Sequence, residues 1–169
     1  MKKGIVFLIV FLMVISFPIC GYAKGKEKIY LDSSWKYADH ARITSGYAVM
    51  YKVKKNRKDI VIAVNAGHGT KGGSSVKTLC HPDGSAKVTG GTTAAGSVKA
   101  VAVSDGMAFR DGTAERDVTL RMARILKKKL LAEGYDVLMV RDGKDVQLDN
   151  VARTVTVSYT HLTLPTTSR

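Results

Sequence analysis

Residues 60–140 constrain the fold more than any other part of the chain, because their apolar period changes from strand to helix and back to strand. Residues 60–64 read Ile-Val-Ile-Ala-Val, a short β-branched run of the kind buried on both faces of a parallel sheet. From Thr113 the pattern turns helical. Val118, Met122, Ile125, Leu126 and Leu130 recur at intervals of three and four, lysines load positions 127–129, and Gly134 stands where a C′ glycine belongs. Thr113 is the expected N-cap. Residues 136–140 form the second expected strand, and residues 147–156 begin another helix. Strand, crossover helix and strand make a βαβ unit that should wind right-handed. The expected fold is therefore α/β, with a mostly parallel sheet flanked by helices. The chain has 169 residues, enough for one domain of ordinary size.

The first strand ends in Asn65-Ala66-Gly67-His68-Gly69. Gly67 to Gly72 spell G-x-G-x-x-G after a strand, which is the pattern of a dinucleotide site. Such a site needs a helix that begins at those glycines, and Gly72-Gly73-Ser74-Ser75 cannot sustain one. A P-loop fails too, since Lys71 precedes the closing Gly72. What remains is a histidine just past the carboxyl end of a buried strand, between two glycines that let other groups approach. That is where α/β sheets hold ligands. Glu115, at the start of the predicted helix, is its candidate partner; alone it would be read as an acid complementing a helix dipole. Residues 67–112 hold ten of the sixteen glycines, which marks a long functional loop or an inserted hairpin, with one strand expected over 98–103. Within it Cys80 and His81 are read as loop surface rather than a metal pair, because adjacent side chains seldom converge on one ion. His40 is read likewise, and Asp105, Asp111 and Asp117 are read as solvated or capping acids.

The N-terminus bears on the compartment. Lys2 and Lys3 precede an apolar run over 5–17, followed by Pro18 and then Gly21-Tyr22-Ala23, the organisation of a secretory signal peptide cleaved after Ala23. The run is shorter than the roughly 20 residues a membrane span needs, so no stable span is expected after cleavage. Ile19 before Cys20 is bulky where a lipoprotein signal places a small residue. Cleavage would remove Cys20 and leave Cys80 alone, without a disulfide framework. The formal charge of +13 favours an anionic environment. In an exported bacterial protein the nearer polyanions are those of the cell wall, so nucleic acid is not expected as a partner. Residues 24–58 form a basic, aromatic lead-in containing Trp35, Tyr37, Tyr47 and Tyr51, either an extra hairpin or a packing arm.

Four blocks in order, residues 60–69, 112–120, 131–141 and 146–153, resemble those of the zinc-dependent N-acetylmuramoyl-L-alanine amidases. The resemblance implies a secreted, cell-wall-associated peptidoglycan hydrolase that splits the amide between N-acetylmuramic acid and L-alanine. It implies Zn²⁺ as cofactor, with His68 and Glu115 as metal ligands. It also implies a second histidine ligand in a later strand and a catalytic glutamate near the end of the domain. Zinc would polarise the carbonyl and the attacking water, and the glutamate would pass the proton to the leaving amine. The corresponding organisation is a signal peptide over 1–23, the lead-in over 24–58, part of an amidase catalytic domain over 59–156, and a tail over 157–169. The tail, Val-Ser-Tyr-Thr-His-Leu-Thr-Leu-Pro-Thr and onward, resembles a translated sequencing adapter and is expected to be foreign, leaving the catalytic domain truncated and inactive. A reading of His161 as the third ligand is disfavoured by its short distance from Arg153. The rival functions are a non-catalytic module that binds anionic wall polymers by charge, and a zinc peptidase on a related sheet.

Overall fold

The structure is a computed structural model that describes residues 25–162, with side chains to residue 160. The expected signal peptide with Cys20, the side chain of His161 and the last residues of the expected tail lie outside these. Among the described residues no helix is long and apolar enough to cross a membrane.

The sheet is built from β1 (Gly25–Tyr30), β2 (Tyr47–Lys52), β3 (Val61–Val64) and β6 (Asp136–Met139), in the order β1-β2-β6-β3. The expected parallel pair is present: β3 and β6 run side by side in register from Val61 with Asp136 to Val64 with Met139. The expectation of a mostly parallel sheet is corrected, because β1 pairs antiparallel with β2 and β2 pairs antiparallel with β6. These two strands come from the lead-in, which resolves as a hairpin in the sheet. An apolar run reports that a strand is buried on both faces, but it carries no record of which neighbour lies beside it. Here the junction is set by Asp136. Its buried carboxylate accepts the Val53 N–H at 2.8 Å and two guanidinium bonds from Arg57 at 2.9 and 2.6 Å, so the end of β2 is fastened to the start of β6.

Helix α1 (Glu115–Ala132) covers one face of the sheet. Its end is a Schellman motif. Gly134, at φ +89°, donates to the Leu131 carbonyl and Tyr135 donates to that of Leu130. A Cβ at Gly134 would also lie 2.2 Å from the Asn56 carbonyl oxygen. Ala114, not Thr113, occupies the N-cap position, and no side chain caps it. The helix itself agrees with the sequence pattern, but its buried face does not. Leu120 and Ala123 face the sheet with Leu130 and Leu131, whereas Met122 is 64% exposed and Ile125 and Leu126 stand in solvent beside it. Lys127 reaches across the inner stripe, its Nζ 4.0 Å from the centre of the Tyr51 ring and 3.0 Å from Asp142.

Helix α2 (Asn150–Leu162) lies against the opposite face, where Val157 packs near Ala48, Met50 and Leu138. Asp149 caps it, accepting the Ala152 N–H at 2.8 Å. The same carboxylate accepts the Arg42 and Ile43 N–H groups, tying the lead-in to the helix start. The helix continues past residue 156, and Tyr159 stacks on Trp35 with ring centroids 5.0 Å apart. The long loop forms a small hairpin of β4 (Lys77–Leu79) and β5 (Lys99–Val101), the latter within the stretch where a strand was expected.

Candidate metal centre

His68 follows β3 in a left-handed backbone conformation, φ 64°, and Gly69 follows at φ +74°. Two such residues in succession turn the chain sharply at the carboxyl end of the strand. No α-helix starts here; only a three-residue 3-10 turn, Gly73–Ser75, occurs nearby, as expected of glycines and serines that cannot sustain a helix.

The imidazole is oriented through its Nδ1 atom, which lies 2.9 Å from the Ser104 carbonyl oxygen and 3.0 Å from the Ser104 hydroxyl. A carbonyl oxygen only accepts, so Nδ1 carries the proton and Nε2 presents a lone pair. Nε2 is 3.3 Å from Oε1 of Glu115. Two acceptors at this separation repel unless a cation, either a proton or a metal ion, lies between them. The other Glu115 oxygen accepts the Met107 N–H at 2.9 Å, while the Glu115 N–H donates to the Met107 carbonyl at 2.8 Å. The Met107 N–H, and then His68, hold the Glu115 carboxyl below the usual carboxylate range. The returning end of the long loop therefore builds this centre. Ser104 aims the imidazole, Met107 fixes the carboxylate, and Gly106 passes over both.

Two arginines hold the strand-end loop from below, and sequence reasoning missed both. Arg141, fully buried, donates from Nε to the Ala66 carbonyl at 3.1 Å and from Nη1 to that of Gly143 at 3.1 Å. Its Nη2 lies 2.8 Å from the Gly67 carbonyl, 2.9 Å from that of Arg116 and 3.1 Å from the Thr119 hydroxyl. Arg153, from α2, donates to the His68 carbonyl at 2.8 Å, the Thr70 hydroxyl at 2.9 Å and the Leu148 carbonyl at 3.0 Å. Neither is in an ion pair among the described residues. Burial pushes both guanidinium groups down, Arg153 to about 10, so both remain cationic at neutral pH. The sequence signal was available: a cation closing a buried strand, and another among Val151, Ala152 and Val155.

The nitrogen and carboxylate donors of His68 and Glu115 fit a borderline metal such as zinc, and the Nδ1 bond to a carbonyl is the usual support of a metal-bound histidine. Among the described residues no third His, Cys, Asp or Glu joins them. His40 is bonded to the Pro82 carbonyl at 2.6 Å, and Cys80 and His81 follow β4 in the hairpin. Asp105 accepts the Ser74 hydroxyl at 2.7 Å and Asp111 the Thr113 N–H at 2.9 Å. Asp117 stands in the first turn of α1. Beside the pair runs a groove of about 620 Å³, bordered by Gly69, Lys71, Asp105, Arg116, Asp117 and Lys144.

A family model described as N-acetylmuramoyl-L-alanine amidase matches residues 62–164, a span that holds His68, Glu115, Arg141 and Arg153. No curated protein and no solved structure matches the chain.

Proposed function

The chain belongs to the N-acetylmuramoyl-L-alanine amidase family, and from that premise we propose that it derives from an exported zinc amidase. The substrate is peptidoglycan, and the bond cut is the amide between the lactyl group of N-acetylmuramic acid and L-alanine. His68 and Glu115 are two of the metal ligands. The observation that carries this reading is the convergence of His68 Nε2 and Glu115 Oε1 at 3.3 Å, with the imidazole proton committed to Ser104 on the far side. Zinc held there would supply Lewis-acid polarisation of a carbonyl and acidification of water. The chain's own residues commit the Nδ1 proton to the Ser104 carbonyl, hold the Glu115 carboxyl below the usual carboxylate range, and border the neighbouring groove with three cations, Lys71, Arg116 and Lys144, and three acids, Asp105, Asp117 and Asp145.

The third ligand and the general base have to come from outside the described residues. We accordingly propose that residues 59–156 supply part of the catalytic unit and that this chain alone is a poor catalyst. Residues 1–23 act as an export signal in this reading, and the strong positive charge that remains once Lys2 and Lys3 are removed gives affinity for anionic wall polymers. That charge also supports the second reading, a wall-binding module without catalysis.

The test combines zinc titration with product analysis. The chain without residues 1–23 should take up zinc, and His68→Ala should lose it. A source-DNA read through codon 156 should continue into a segment with a further His and a Glu, and that longer chain should release stem peptides from glycan. Wall affinity with no zinc uptake would favour the binding module. Cleavage within the stem peptide would instead identify a peptidase.

A further inference from the structure

Arg141 has a relationship to the centre that its burial alone does not explain. Burying a guanidinium without a hydrogen-bonded carboxylate costs several kcal/mol of lost hydration, and here neutral acceptors take donors from all three of its nitrogens while Asp117 adds a favourable charge nearby. Those acceptors are not scattered. Ala66 and Gly67 immediately precede His68, and Arg116 immediately follows Glu115. A single atom, Nη2, holds the Gly67 and Arg116 carbonyls together at 2.8 and 2.9 Å. The Thr119 hydroxyl repeats the link, standing 3.1 Å from the Gly67 carbonyl and 3.2 Å from that of Arg116. The fit leaves no slack, since a Cβ on Gly69 would lie 2.7 Å from both Cδ and Nη1 of Arg141.

We propose that Arg141 is the positioning residue of the metal centre, a neutral-acceptor clamp that fixes the spacing between the His68 loop and the first turn of α1, which carries Glu115. The proposal rests on His68 and Glu115 being metal ligands. It adds that their separation is set by a buried cation on β6's C-terminal extension rather than by the metal. A clamp of this kind preorganises two donors, so its loss should appear in metal affinity before it appears in the fold. Lysine cannot replace it: one ammonium lacks the planar fork that reaches both carbonyls while Nε holds Ala66.

The experiment measures zinc affinity by chelator competition, and the ligand-field spectrum of the cobalt-loaded protein, for the chain without residues 1–23. Arg141→Lys should bind zinc at least tenfold more weakly and shift the cobalt spectrum. Val155→Ala, a core change on α2 far along the chain from the clamp, should lower Tm while leaving affinity and spectrum as in the parent. Thr119→Val, which keeps the shape and removes the hydroxyl link, should weaken binding at least threefold and serves if Arg141→Lys does not fold. Parent-like affinity and spectrum in the folded Arg141→Lys protein, or in Thr119→Val where the first does not fold, overturn the clamp. A parent chain that takes up no zinc overturns instead the ligand assignment on which it rests.

Discussion

Gly106 lies so close to His68 that a Cβ on it would come within 3.0 Å of the imidazole Cδ2, and within 3.1 Å of Glu115 Oε2. Its φ of +80° is also one that side chains other than glycine's rarely adopt. Gly106→Ala should therefore cost about 1–2 kcal/mol in stability, and it should push the loop off the pair. Zinc affinity, read by chelator competition, is expected to fall tenfold or more. Unchanged affinity would mean that the loop does not roof the centre.

Asp149 accepts three backbone N–H groups, those of Arg42, Ile43 and Ala152, from a fully buried position. Asp149→Ala should lower the unfolding free energy in urea by about 2–4 kcal/mol, the loss of an N-cap plus donors left without partners. Asp149→Asn, which retains one acceptor oxygen, should lose less. Equal losses in the two variants would assign the effect to charge instead of capping.

The two apolar stripes of α1 should respond differently. Leu120→Ala is expected to destabilise by about 2–4 kcal/mol, because Leu120 packs against the sheet. Met122→Lys and Ile125→Lys should change stability by no more than about 0.5 kcal/mol and should reduce aggregation on concentration. Strong destabilisation by the lysine pair would show that the outer stripe is buried in solution.

Acid should weaken the fold through its turn carboxylates. Ser34 donors hold Asp32 low, Ser85 donors hold Asp83 low, and the Thr113 N–H holds Asp111 low. At Asp145 burial acts upward, but the donors from Gln147 and Lys71 outweigh it. Depressed folded values mean that the unfolded chain takes up protons first, near pH 4. The stability they contribute is present above that pH and is lost as pH falls through the folded values. A Tm series from pH 6 to pH 2.5 should decline below about pH 4, with a shallower decline for Asp145→Asn. A Tm that holds steady or rises over that range contradicts the assignment.

The sequence carried the strand, crossover helix and strand, because each signal there is local. Residues 60–64 and 137–140 are continuous apolar runs, and Gly134 supplies the left-handed turn that ends α1. His68 and Glu115 were also legible as positions, one at a strand's end and one at a helix's start. Their approach to 3.3 Å was not legible, since it depends on Ser104, Gly106 and Met107 returning through a long loop whose sequence has no strong period.

Other features were decided only by long-range packing. Helical spacing fixed that α1 is amphipathic, but two apolar stripes competed for the inner face. The sheet selected Leu120 and Ala123, and Lys127 set its ammonium over the Tyr51 ring while the same charge reached Asp142. Direction of pairing was likewise open in the sequence. The lead-in became two antiparallel strands because Asp136 holds Val53 and Arg57 where the end of β2 meets the start of β6. Arg141 and Arg153 stand in apolar surroundings along the sequence, but only the folded chain brings carbonyls from residues far away to receive their donors. A chain's local periods set what each segment becomes, whereas burial of charge and choice of partner depend on atoms that the sequence separates by tens of residues.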